Sequence, residues 1–272
     1  MPLPAPFDRL RLPVIGSPLF IVSGPELVIA QCKAGIVGSF PALNARPQSQ
    51  VDEWLHQITE ELAAHNRDNP DRPAAPFAVN QIVHKSNDRL DADMATCAKW
   101  QVPMVITSLG AREEVFSAVK GWGGITLHDV INDRFARKAI EQGADGLVLV
   151  AAGAGGHTGT MSSFAFVTAV REFFDGPVML GGAISNGRAV RAAEVLGADF
   201  AYMGTRFIAA GESLADAEYR DMLIAAEFED LVLSDKLTGA PAHYLRASLE
   251  KMGIGTDGSR GSGPDFADSE NQ

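Results

Sequence analysis

Short apolar runs alternate along this chain with longer stretches in which apolar residues recur every three or four positions. LPVIGSPLF (12–20), GIVGSF (35–40), PFAVNQIV (76–83) and VPMVITSLG (102–110) read as strands. So do GGITLHDV (123–130), ADGLVLVAA (144–152), GPVMLGG (176–182) and ADFAYMGTRF (198–207). Between them, 25–34, 48–66, 88–100, 112–122, 132–143, 163–174 and 186–197 carry helical periodicity. The strand runs mostly lack polar–apolar alternation, which is the pattern of parallel strands buried on both faces by helices. Eight strands alternating with seven helices predict right-handed βα units, in a closed barrel or a doubly wound sheet.

An internal echo favours the barrel. EQGADGLVLV (141–150) and VLGADFAYMG (195–204) both run from a helix end through Gly-Ala-Asp into an apolar strand. Gly143 and Gly197 suit the left-handed residue that ends a helix. The expected architecture is therefore an α/β (β/α)8 barrel, a fold that typically takes about 250 residues. SLADAEYRDMLIAAEFED (213–230) is helical in period but follows a loop, so 208–252 reads as an eighth helix, a lid, or both. Residues 1–252 are expected to form a single domain, and the Gly/Ser/Asp-rich 253–272 a disordered tail.

Charge narrows the partners. A net charge of −11 opposes nucleic acid and anionic membranes. No apolar run reaches the length of a membrane span. Cys32 and Cys97 fall in predicted helices with no CxxC pair. They read as buried reduced thiols of a cytoplasmic protein.

Active sites of such barrels form at the C-terminal ends of the strands. Those ends carry Ser17 and Leu19, Ser39, Asn80 and Gln81, Thr107 and Ser108, and His128 and Asp129. The last three ends are AAGAGGHTG, GGAISNG and MGTRF. Glycine-rich ends on the final strands suit a phosphate, because a small backbone exposes its amides. Ser185 or Asn186 can cap the helix that starts at Gly187. GAGGHTG is no dinucleotide fingerprint, since Thr158 stands where the third glycine is required. There is no Walker loop, no GxSxG elbow and no HxH or HxxxH pair for zinc. His157 lies among small residues, and its side chain titrates near neutrality, which suits proton abstraction or anchoring of a polar substrate. His128 and His243 are weaker candidates for the same work.

Taken together, AGAGGHTG, the NGRA helix start and the YMGTRF strand resemble the nitronate monooxygenase family, formerly the 2-nitropropane dioxygenases. Flavin-dependent enoyl-acyl carrier protein reductases share its barrel type. PVIGSPLF, SFPALNARP (39–47) and FAVN (77–80) extend the likeness over about residues 10–250. The resemblance implies a barrel holding FMN non-covalently. It places Asn80 and Gly155 at the flavin and Leu19 at a backbone contact to the ring. It places Gly182, Ala183, Gly204 and Thr205 at the phosphate. His128, Gly156 and Met203 complete the expected cofactor set. His157 matches the family histidine assigned to substrate binding or proton abstraction.

Three departures stand out. Val150 occupies a position where the family often has glutamine. Ala183 replaces a glycine, which is tolerable if its φ is negative. Family members also usually continue well past the point where this chain enters its Gly/Ser tail. The implied activity is oxidation of alkyl nitronates, or nitroalkanes, with O2. The alternatives are an NAD(P)H-dependent flavin reductase acting on a quinone or enoyl thioester, and a truncated barrel that binds FMN or a phosphate ligand without turnover.

Overall fold

The computed structural model describes residues 7–255; the expected tail falls almost wholly outside them. Eight parallel strands form the barrel: β1 (Val14–Gly16), β2 (Gly38–Pro41), β3 (Phe77–Ile82), β4 (Met104–Ser108), β5 (Ile125–Val130), β6 (Gly146–Val150), β8 (Val178–Gly181) and β9 (Phe200–Met203). β7 (Gly156–His157) is a short strand outside that sheet. Each barrel strand pairs with its sequence neighbours, and β9 pairs with β1. Closure between β1 and β2 rests on an Ile15–Val37 bridge, with Gly16 N donating to Val37 O at 2.8 Å and Val37 N to Val14 O at 3.1 Å. The fold is the (β/α)8 barrel that the Gly-Ala-Asp echo favours over a doubly wound sheet.

Seven helices cover the outside: α1 (Pro25–Ala34), α2 (Gln50–Asp68), α3 (Leu90–Lys99), α4 (Glu113–Gly121), α5 (Asp133–Glu141), α6 (Ser163–Arg171) and α7 (Gly187–Leu196). The barrel interior is a separate apolar cluster that includes Ile15, Val37, Ala78, Ile106, Leu127, Val148 and Phe200. Phe7 joins that cluster and stacks against Phe200, with ring centroids 4.5 Å apart. Both strand faces are therefore apolar, and this is why the sequence shows no alternation.

The Gly-Ala-Asp echo proves to be a repeated stitch. Gly143 and Gly197 take positive φ, 98° and 110°, and end α5 and α7. Each following aspartate then reaches the first amides of the neighbouring strand. Asp145 Oδ2 accepts from Thr126 N at 2.8 Å, and Asp199 Oδ2 accepts from Val178 N at 2.8 Å. Arg171 also donates to Asp199 at 2.5 Å and to the Gly197 and Gly176 carbonyls. Asp199→Ala leaves Val178 N unpaired at the barrel base and takes one acceptor from Arg171. It should cost about 2 kcal/mol of stability, the scale of a hydrogen bond to a charged group, read as a lower urea midpoint.

The C-terminal segment departs from a simple eighth helix. α8 (Thr205–Ile208) and α9 (Ala217–Ala225) bury no side chain, and a 3-10 turn follows at Phe228–Asp230. β10 (Leu231–Ser234) and β11 (Ala242–Leu245) then form an antiparallel pair, and α10 (Arg246–Lys251) closes the segment. β11 also pairs with β7, making a three-stranded strap laid on the loop after β6. Residues 208–252 thus form short helices and this strap in place of one continuous eighth helix. β10 alternates exposed and buried residues over only four positions, too short a pattern to stand out in the sequence.

Candidate active site

Above the apolar interior, the strand ends turn polar. On β3, Ala78 is followed two residues later by Asn80; on β4, Ile106 by Ser108; on β5, Leu127 by Asp129; on β9, Phe200 by Tyr202. Period-two alternation carries all four of these side chains to the inner face. Asn80 Nδ2 donates to Ile106 O at 3.1 Å and to Ser108 Oγ at 2.8 Å, and Ser108 Oγ donates to Asp129 Oδ2 at 2.5 Å. Burial pushes the Asp129 carboxyl up to about 6, partly opposed by the Ser108 bond. Burial and the nearby Asp129 also hold the Tyr202 phenol well above its usual range, and Ser17 hydrogen-bonds it.

The same alternation turns His128 the other way. Its side chain points outward, edge-on to Phe116 of α4 at 5.9 Å between ring centroids, with Nδ1 2.7 Å from Thr107 Oγ1. Burial lowers its pKa to about 4, so it stays neutral between sheet and helix, away from the barrel mouth. Met203 is likewise turned outward, packed with Val14, Ile36, Val190 and Ala201. Only its backbone borders the mouth, where its carbonyl accepts from Ser17 N at 2.7 Å. Val150 packs against the apolar interior, so the top of β6 contributes no polar side chain there.

The loop after β6 is clamped between two others. Gly153 has φ 90°, and a Cβ there would lie 3.1 Å from the Ala183 Cβ. A Cβ on Gly155 would collide with Thr205 Oγ1. The structure thus brings Gly155, Ala183 and Thr205 onto one exposed surface. Gly156, with φ 65°, faces open space and leads into the β7 turn. Gly204 meets the Leu19 side chain, 3.2 Å from its would-be Cβ. The Leu19 backbone is already engaged, N–H to Ser23 Oγ at 2.9 Å and carbonyl to Asn44 Nδ2 at 2.9 Å. Asn186, rather than Ser185, caps α7 by accepting from Arg188 N and Ala189 N.

Ala183 does not meet the condition set for it. Its φ is +54°, in the left-handed region where a Cβ is strained. Ala183→Gly should therefore raise stability by about 1 kcal/mol, measured by urea unfolding.

His157 sits on β7, exposed, opposite Ala242 of β11. Its Nε2 lies 3.2 Å from Thr238 Oγ1 of the strap. Thr158 N donates to Pro241 O at 2.9 Å, and His243 Nδ1 donates to Ala154 O at 2.7 Å. The strap therefore fixes the backbone that carries His157, and His243 holds that loop. Among the described residues there is no cluster of three metal-binding side chains and no helix long and apolar enough to cross a membrane. Cys32 and Cys97 are buried, and burial pushes both thiols up to about 12, which removes them as nucleophiles.

The family model for nitronate monooxygenase matches residues 7–253. The chain belongs to the nitronate monooxygenase family. Among solved structures, this nitronate monooxygenase family barrel is similar to FabK from Thermotoga maritima, with a TM-score of 0.73 and 26% identity over 90% of this chain and 76% of that one. It is similar to nitroalkane oxidase from Streptomyces ansochromogenes, with a TM-score of 0.74 and 26% identity over 89% of this chain and 79% of that one. A curated relative from Rhodococcus jostii is 26% identical over 237 residues, 87% of this chain. It is named (3aS,4S,5R,7aS)-5-hydroxy-7a-methyl-1-oxo-octahydro-1H-indene-4-carboxyl-CoA dehydrogenase, and this chain spans 63% of its length.

Proposed function

We propose that this barrel binds FMN and oxidises alkyl nitronates with O2, and nitroalkanes once His157 has removed a proton. The observation that carries the reading is the convergence of the three glycine-bearing loops on the polar mouth, with His157 strapped beside them. The mouth suits a flavin: Asp129 Oδ1 is buried without a partner among the described residues, and the Gly155 surface leaves no room for a side chain. Asn80 and Gly155 would meet the ring, and Gly182, Ala183, Gly204 and Thr205 the phosphate. Bound FMN supplies a two-electron acceptor that passes electrons on to oxygen; the protein supplies placement and exclusion of side reactions.

The strap bears on which nitrogen of His157 is basic. Thr238 gives its one hydroxyl proton to the Ala240 carbonyl at 3.2 Å. It then accepts from His157 Nε2–H, leaving Nδ1 with the free lone pair. The decisive experiment is the visible spectrum of the purified protein, followed by anaerobic addition of a nitronate. Bleaching of a yellow protein by nitronate supports the reading. A colourless protein that cannot be reconstituted with FMN overturns it.

A second reading, reduction or dehydrogenation of an apolar thioester, is favoured by one observation. Phe20, Ile21, Leu109 and Ile131 are large, apolar and exposed on loops after β1, β4 and β5. Ile21 and Leu109 are held at φ 55° and 61°, a conformation that bulky residues seldom keep without functional reason. Such a rim suits a substrate larger and greasier than a nitroalkane. Anaerobic bleaching by NAD(P)H, with inertness to nitronate, selects this reading.

A further inference from the structure

At the barrel mouth, Asp129 ends a one-way hydrogen-bond chain. Asn80 donates to Ser108 and Ser108 donates to Asp129 Oδ2, so the hydroxyl has no further proton to give. Oδ1 is left shielded from water and unpartnered among the described residues. A buried oxygen in that state carries an uncompensated desolvation penalty, larger if charged, and calls for an explanation. The fold itself makes no use of this atom. Ile125 and Leu127, the preceding inward residues of β5, belong to the apolar interior, and so does Val148, which is registered opposite Asp129 on β6.

The groups that face Asp129 are few. Ser108 approaches from β4, Tyr202 from β9, and the apolar Val148 and Val150 line β6. His128 lies on the other face of the strand. Among the described residues, no lysine, arginine or histidine forms an ion pair with it.

We propose that Asp129 is the ionisable contact between this barrel and its flavin, with Oδ1 meeting a polar atom on the edge of the ring. The inference rests on the flavin reading above. Ionised, Oδ1 accepts from a ring N–H; protonated, it donates to a ring carbonyl or nitrogen. Two-electron reduction leaves the ring more negative, and an adjacent carboxylate opposes that charge while a carboxylic acid does not. Reduction therefore draws one extra proton from water onto Asp129 wherever the group is ionised beforehand. Its raised pKa puts the onset of that uptake near pH 6.

The test is the midpoint potential of the FMN-loaded protein, titrated with dithionite from pH 5 to pH 8. The parent protein should show an extra downward slope that starts near pH 6. Asp129→Asn should abolish that extra slope, leaving the potential unchanged at pH 5 and raised at pH 8. Ser108→Ala removes the bond that lowers the Asp129 pKa and should move the onset to higher pH. It carries the same test if Asp129→Asn does not fold. Identical pH profiles for the parent and the variants overturn the assignment while leaving the flavin reading intact. Failure of the parent protein to take up FMN overturns both.

Discussion

Replacing His157 by alanine should lower turnover of a neutral nitroalkane by ~10²–10⁴-fold, the usual contribution of a positioned general base, while a preformed nitronate stays within about tenfold of the parent rate. The asymmetry follows from the chemistry: a nitronate has already lost the proton that Nδ1 would take. The substitution should leave the loop in place, because β7 is held through its backbone by β11 and Thr158 N is bonded to Pro241. Steady-state oxygen consumption on both substrates checks this. Equal losses on the two would make His157 an anchor for the nitro group and not a base.

Gly182→Ala should weaken FMN binding by about 10- to 100-fold, the equivalent of ~1–3 kcal/mol of backbone strain. Gly182 has φ 134°, and a Cβ there would lie 2.9 Å from Ala152 O and 3.1 Å from Ala151 O. Both obstacles are backbone, so relief requires moving the loop that also carries Gly153 and Gly155. Ala183→Gly, one residue on, relaxes the same turn and acts in the opposite direction. Fluorescence titration of the apoprotein with FMN reads the Gly182→Ala effect. An unchanged dissociation constant for Gly182→Ala would show that the β8 loop does not hold the cofactor.

The barrel was legible because its signal is local and repeated. Each βα unit announces itself by an apolar run and a helical period, and the Gly-Ala-Asp echo marks two helix-to-strand junctions whose aspartates make the same stitch. Strand limits were less so. LPVIGSPLF stays apolar to Phe20, yet β1 ends at Gly16, and residues 19–23 turn over through Ser23 and Asn44. Here apolarity outruns burial: Ser17 to Leu19 are half-buried and Phe20 is exposed at the rim, so the apolar run does not mark where the ladder ends. The antiparallel strap strands had a different problem, being too short for their pattern to register.

For the mouth, sequence listed the strand ends without saying which side chains enter. His128 and Asp129 are adjacent, and both faces of β5 are buried, so no alternation distinguishes them. The inward placement of Leu127 decides it, and that is a property of register and closure, not of local composition. The small residues of AAGAGGHTG were visible; what crowds them was not.

By itself, then, the sequence determined the βα repeat, the glycine-rich ends on the last strands and the acidic, reduced-thiol character of the chain. Each of these depends on residues close in sequence. Only the tertiary structure decided that Asn80, Ser108 and Asp129 form one chain, that His157 is strapped to Thr238, and that Ala183 is strained. The physical reason is that the first two are hydrogen bonds between segments 21 to 81 residues apart, and the third is a backbone angle imposed by the packing of neighbouring loops. Pairing of β3, β4 and β5, seating of the strap on the loop after β6, and packing of the β6 and β8 loops create them.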